Sequence, residues 1–168
     1  QVRIINTESG LDENTVNSIY VSTNGLIYLG TGIGLSVFDG ENIVNIKTNL
    51  NQSDRKISPW HNDSLILVRD NGLSIISTNN YQFREFDFSD KYSYKIIDCA
   101  MGKNEIFTTG SDGLGRFSLL HFNFKMLTGL REFTYGQTYS GRGSIAYSVK
   151  NNCIYVAHKK GLDVYQPY

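Results

Sequence analysis

One short phrase recurs along this chain and constrains its fold more than any other feature. Its fullest copy runs Gly10-Leu11-x-x-Asn14-x-Val16-x-x-Ile19, then Leu26-Ile27-Tyr28-Leu29-Gly30-Thr31, then Gly34-Leu35-Ser36-Val37-Phe38-Asp39-Gly40. Shorter copies are centred on Gly72-Leu73, Gly113-Leu114 and Gly161-Leu162, so the Gly-Leu pairs at 34, 72, 113 and 161 lie 38, 41 and 48 residues apart. Seven residues before each glycine stands Ile27, Leu65, Ile106 or Ile154; six before, Tyr28, Ile66, Phe107 or Tyr155; four after, Phe38, Ile76, Phe117 or Tyr165. A period of about 40–50 residues built from short strands is the signature of a β-propeller.

Each unit reads as strand, turn, strand. Turn formers precede the glycine: Gly32-Ile33, Asp70-Asn71, Ser111-Asp112 and Lys159-Lys160. A glycine closing such a turn is expected to supply a positive φ. The strand before the turn is almost wholly apolar, as in Leu26-Ile27-Tyr28-Leu29, which suits a strand covered on both faces. A further strand precedes each hairpin (16–21, a poor one around 57–60, 94–100 and 144–149). An alternating strand follows it (43–47 and 81–86, with a less clear third copy near 122–126 or 131–135). The predicted unit is a four-stranded antiparallel meander, its positions termed A, B, C and D in chain order. The fold class is therefore all-β: about four propeller blades, spanning 14–48, 55–88, 93–135 and an incomplete 143–168. Residues 2–6 read as the outer strand of a preceding or closing blade. The chain is expected to be a fragment of a ring of six to eight blades; a closed ring of four is the alternative. Open sheet edges in a fragment predict self-association or a homodimer.

Composition narrows the function classes. The 168 residues carry 16 basic and 16 acidic side chains, a net charge of zero, which lacks the basic footprint of a nucleic-acid binder. No apolar run is long enough to span a membrane, so membrane attachment would come through parts of a parent protein that this sequence lacks. The strand-like run Val2-Arg3-Ile4-Ile5 starts at once, without a leader, and reads as a piece excised from something larger. Cys99 and Cys153 stand in non-equivalent repeat positions; buried free thiols are the ordinary reading, with a bridge between them left open.

At the level of motif, residues 10–40 resemble the two-component-regulator propeller repeat: Gly10, Leu11, Asn14, Val16, Ile19, Gly25, Ile27, Leu29, Gly30, Thr31, Gly34, Leu35, Phe38, Asp39 and Gly40 fit it. Tyr28 stands where that family usually has tryptophan, and the other three copies lose Gly-Thr and Asp-Gly. The resemblance implies the extracytoplasmic (periplasmic) sensor of a hybrid two-component histidine kinase of Bacteroides-like bacteria, working in a phosphorelay and often sensing oligosaccharides. Kinase, receiver and DNA-binding parts would belong to the parent, not to these residues.

No catalytic constellation is legible. His61, His121 and His158 occupy unrelated repeat positions, and no metal or cofactor is implied. The Asp-Gly pairs at Asp39-Gly40 and Asp112-Gly113 read as turns rather than calcium loops. The expected ligand site is the end of the blades that carries the start of strand A and the B-to-C turn. Residues placed there are Arg55, Lys56, Trp60, His61, Arg69 and Asp70, then Lys91, Tyr92, Tyr94 and Asp112, then Tyr139, Arg142, His158, Lys159 and Lys160. Basic groups beside aromatic platforms suit an anionic oligosaccharide. Trp60, following Pro59 where the strand pattern fails, reads equally as core. A protein-interaction scaffold is the alternative function, and a propeller lyase or hydrolase a more distant one.

Overall fold

The computed structural model describes residues 2–47, 54–61, 63–89, 95–110, 113–127, 145–158 and 161–167, with the side chains of Asp54, Arg55 and His158 left undescribed. Among these residues there is no α-helix. The strands are β1 (Val16–Val21), β2 (Ile27–Thr31), β3 (Gly34–Phe38), β4 (Ile43–Lys47), β5 (Asp54–Pro59), β6 (Ser64–Arg69), β7 (Gly72–Ser77), β8 (Phe83–Asp87), β9 (Ile96–Met101), β10 (Glu105–Gly110), β11 (Gly113–Ser118), β12 (Asn123–Met126), β13 (Ile145–Ser148), β14 (Cys153–His158) and β15 (Gly161–Tyr165). They form four sheets of strictly sequential antiparallel neighbours: β1 to β4, β5 to β8 and β9 to β12, each four-stranded, and β13 to β15, three-stranded. These are blades 1 to 4.

The chain divides into two compact units, Gln1–Asp87 and Phe88–Tyr168. In the first, the B strands β2 and β6 are buried along nearly their whole length, which is why their sequences show no polar alternation. The core is the seam between blades 1 and 2: Tyr28, Leu35, Val37 and Ile46 meet Ile57, Leu65, Leu67 and Ile76. Each such fully buried aliphatic side chain contributes about 1.5–3 kcal/mol. In the second unit the seam between blades 3 and 4 repeats this scheme, with Ala100, Phe107 and Leu114 against Ile145, Ile154 and Val156. Phe88 stacks on Phe124 with centroids 4.5 Å apart and covers the outer side of blade 3. Cys99 and Cys153 are both buried free thiols.

Val2 to Ile5 joins no sheet among the described residues; Val2 is 92% and Ile4 75% exposed. Arg3 lies against blade 1, its Nη1 donating to the Gly40 carbonyl at 3.1 Å and its guanidinium 5.5 Å from the Phe38 ring centre. One expectation is corrected here: the repeated glycine has no single role. Gly113 and Gly161 adopt φ of 127° and 142°, as a turn-closing glycine should. Gly34 and Gly72 are not in that region. A Cβ on Gly34 would lie 2.5 Å from the Ile46 carbonyl oxygen, and one on Gly72 2.2 Å from that of Phe86. There the D strand's backbone passes too close for any side chain.

Candidate functional site

The B-to-C end of blade 1 is built from the sequence phrase itself. Asn6 caps a short 3-10 turn, Thr7–Ser9, which Gly10 ends at φ 109°. Asn14 Oδ1 accepts from the Thr7 N–H at 2.8 Å, and buried Leu11 pins the loop to the sheet. This carries Asp12 and Glu13 over the β2–β3 turn. Glu13 Oε2 accepts from the Gly32 N–H at 2.7 Å, and a Cβ on Gly32 would lie 2.6 Å from that oxygen. Thr31, fully buried, clamps the same turn: its hydroxyl donates to the Gly34 carbonyl and accepts from the Gly34 N–H, both at 3.1 Å.

Behind the turn the buried Ser36 hydroxyl lies 2.7 Å from Asn45 Oδ1 and 3.2 Å from Asp12 Oδ1. One hydroxyl proton serves one acceptor at a time, so this end of the blade is rich in acceptors. Asn45 Nδ2 donates to the Gly10 carbonyl at 2.9 Å, tying strand D to the incoming loop. At the opposite end of the sheet, Asp39 Oδ1 accepts from the N–H groups of Glu41 and Asn42 at 2.8 and 2.6 Å. Those bonds, Asn42's first, hold its carboxyl below the usual carboxylate range. Asp39-Gly40 is thus the turn its sequence suggested, with Gly40 at φ 104°.

In blade 2, Arg69 takes the repeat position of Thr31. It is the last residue of β6 rather than a turn residue, fully buried, with Nη1 3.6 Å from Glu85 Oε1 on β8. It therefore braces strand D and is no solvated loop charge. Asp54 pairs with Arg69 in the ladder, so Arg55 lies in β5 at this end. Trp60 and His61 do not. Strand β5 runs 54–59, earlier than the apolar pattern suggested, which leaves Trp60 and His61 in the A-to-B turn at the other end of the blade. There the Trp60 N–H donates to the Ser64 carbonyl at 2.8 Å, the two rings sit 4.6 Å apart, and His61 has φ 58°. The structure therefore does not bring Trp60 and His61 together with Arg69.

Tyr92, Tyr94, Tyr139, Arg142 and Lys159 lie outside the described residues, as do Lys91, Asp112 and Lys160. Sequence reasoning passed over Asp12 and Glu13; their signal was an acidic pair inside the first phrase, immediately ahead of strand A. It also passed over Asp98, whose Oδ2 accepts from the Ile145 N–H at 3.2 Å and Oδ1 from the Cys99 N–H at 2.8 Å. That carboxylate links the innermost strands of blades 3 and 4. Among the described residues no three His, Cys, Asp or Glu side chains are grouped to hold a metal, and no helix is long and apolar enough to cross a membrane.

No family model matches the chain, and no curated protein is similar to it in sequence. Its backbone is similar to solved structures. The C-terminal WD40 domain of Sif2 matches 89% of the chain at a TM-score of 0.56 and 15% identity, with 45% of that domain covered. WD40 repeats are the blades of β-propellers. The fold is a β-propeller segment. Two further matches are extracellular domains from B. thetaiotaomicron. That of BT4673, assigned to a hybrid two component system in one structure and to a one component system in another, gives a TM-score of 0.74 over 98–99% of this chain at 13–14% identity. That of BT3049, also assigned to a hybrid two component system, gives 0.72 over 99% at 20% identity. The propeller segment spans 22% and 24% of the length of those two chains, less than a quarter of each.

Proposed function

We propose that this segment belongs to the extracytoplasmic sensor of a hybrid two-component system, where it contributes to binding a carbohydrate and carries no catalysis of its own. The observation that supports this reading is the likeness of 98–99% of the chain to the extracellular domains of BT4673 and BT3049. The repeat resemblance of residues 10–40 points the same way independently of the coordinates. In this reading phosphotransfer lies in the parent protein, outside these residues.

The B-to-C end of the blades is the proposed ligand-facing end. Blade 1 offers hydrogen-bond acceptors there, Asp12, Glu13 and Asn45, which suit the donating hydroxyls of a sugar. Arg69 acts beneath that end by holding strand D, and Arg55, Tyr92, Tyr94, Tyr139, Arg142 and Lys159 are proposed ligand contacts from the sequence pattern.

The test is binding of the purified chain to a panel of neutral and anionic oligosaccharides by calorimetry, with the recovered glycans analysed by mass spectrometry. Saturable binding with unchanged glycans, weakened at least about tenfold by Glu13→Ala, supports the proposal. Cleavage of a glycan makes the segment an enzyme. Absence of glycan binding together with specific capture of a protein partner makes it a scaffold.

A further inference from the structure

The seam between blades 1 and 2 and the seam between blades 3 and 4 share an apolar scheme and differ in their polar groups. Strand A of blades 1 and 3 carries one polar residue opposite the residue four before the glycine: Ser18 pairs with Gly30, and Asp98 with Thr109. Ser18 and Asp98 thus hold the same repeat position. Each stands two residues before one that packs into its seam, Tyr20 and Ala100, so both face the next blade. In blade 3 that position is a latch. Asp98 reaches across the seam, and its Oδ2 accepts from the Ile145 N–H at 3.2 Å. Ile145 pairs with Val156, five before the glycine of blade 4; the equivalent residue of blade 2 is Ile57, which pairs with Leu67. Ser18 carries its oxygen one bond nearer its own backbone, and its hydroxyl is buried with no hydrogen-bond partner.

Blade 2 offers Ser18 nothing in return. Ser74, wholly buried, lies opposite Leu67 and Glu85 in the ladder and shares a face with Ile76 of the core. Its hydroxyl also has no partner. Arg69, two residues beyond Leu67 on that face, turns to Glu85 of its own blade. On the blade 1 side, Leu35 and Ile46 share this part of the core, and their side chains form no hydrogen bonds. Hydroxyls buried without partners raise the free energy of the closed seam, and hydration lowers it again. At the opposite end the same seam is closed by apolar packing, with Tyr20, Leu26, Tyr81 and Phe83 against the core. Among the described residues of blades 3 and 4, no polar side-chain atom is buried without a partner.

We propose that the seam between blades 1 and 2 is a joint. It opens at the B-to-C end and pivots on the aromatic packing at the other end, while Asp98 keeps the seam between blades 3 and 4 shut. Opening draws Leu35 and Ile46 away from blade 2, and hydration of Ser18 and Ser74 offsets part of that loss. The joint is a property of the fold and does not depend on the binding of a glycan; a segment that binds none still opens here.

The test is peptide-resolved alkylation of the full chain by iodoacetamide, with the wholly buried Cys99 as the marker of global unfolding. Leu35→Cys and Leu114→Cys place thiols at equivalent positions of the two seams, where the leucines are 0% and 2% exposed. Leu35→Cys should label at least about 50-fold faster than Leu114→Cys and Cys99, as local opening outruns global unfolding. Added to Leu35→Cys, Ser18→Asp supplies the missing latch to the Ile57 N–H and should slow labelling about tenfold, the worth of one charge-assisted hydrogen bond. Asp98→Ser should speed labelling of Leu114→Cys by a similar factor. The nearly isosteric Ser74→Cys reads the first seam without creating a cavity and should label as fast as Leu35→Cys. Equal rates for Leu35→Cys and Leu114→Cys overturn the proposal, as does labelling of Leu35→Cys and Ser74→Cys only at the rate of Cys99. A Ser18→Asp chain that labels as fast as before, or faster, overturns it too.

Discussion

Gly34 and Gly161 occupy the same repeat position in blades 1 and 4, yet they are glycine for different reasons. At Gly34 the backbone is ordinary, and the constraint is the Ile46 carbonyl oxygen, 2.5 Å from where a Cβ would stand. At Gly161 no atom intrudes, and the constraint is a φ of 142° that L side chains rarely adopt. The difference tracks strand D. Where a fourth strand runs beside the Gly-Leu phrase, its backbone closes over the glycine; where the described sheet stops at the third strand, the glycine is held only by its turn. A repeated residue thus records the architecture of a blade rather than a single conformational need, and the contrast can be pushed from either side.

Cutting the tie between strands B and D in blade 2 should have the largest effect. Arg69 is fully buried, its guanidinium is 3.6 Å from Glu85, and Glu85 is itself only 13% exposed. Arg69→Met leaves the carboxylate buried without its cation and should cost about 4 kcal/mol by urea denaturation. Arg69→Met combined with Glu85→Met should recover most of that loss, because the orphaned charge is then gone. If the single variant is as stable as the parent, strand D of blade 2 does not depend on this brace.

Crowding the glycine comes next. Gly72→Ala puts a methyl group 2.2 Å from the Phe86 carbonyl oxygen, part of the backbone of an adjacent strand that cannot swing aside, and should cost about 3 kcal/mol. Gly161→Ala meets only conformational strain and should cost about 1 kcal/mol in the isolated chain. Equal losses at 72 and 161 would mean that the glycine column has one cause after all.

How far the sequence could be read depended on whether the decisive signal was local. Strands β2, β3, β6, β7, β10 and β11 were legible because they are short apolar runs punctuated by turn residues, and their pairing follows from sequential hairpins. The position of Trp60 was not. Strand β5 spends its first residues on Asp54, Arg55 and Lys56, a polar start without periodicity, so the strand was read too late and Trp60 was assigned to the wrong end of the blade. Arg69 misled for a related reason. An arginine two residues ahead of Asn71 looks like a loop cation, and only its partner on β8, sixteen positions later, shows that it is buried. At the candidate site, Asp12 and Glu13 were hidden by their role: they act on the backbone of the β2–β3 turn, a contact across nineteen positions that no local pattern announces.

The smallest expected effect concerns the position six residues before the glycine, where blade 1 has Tyr28, blade 2 Ile66 and blade 3 Phe107. Tyr28 is 1% exposed in the seam between blades 1 and 2. Burial pushes its phenol above the ordinary value of 10.0, and charge on Tyr81 and Tyr20 would raise it further. The folded state therefore holds this proton after the unfolded chain has released it. Stability is fully present below about pH 10 and falls as pH rises from there through the raised folded value. Tyr28→Phe removes the titrating group while keeping the aromatic packing that Phe107 shows this position accepts. Its unfolding midpoint should match the parent's at neutral pH and decline less steeply above pH 10. Parallel alkaline limbs for parent and variant would show that the burial of this phenol places no cost on the folded blade.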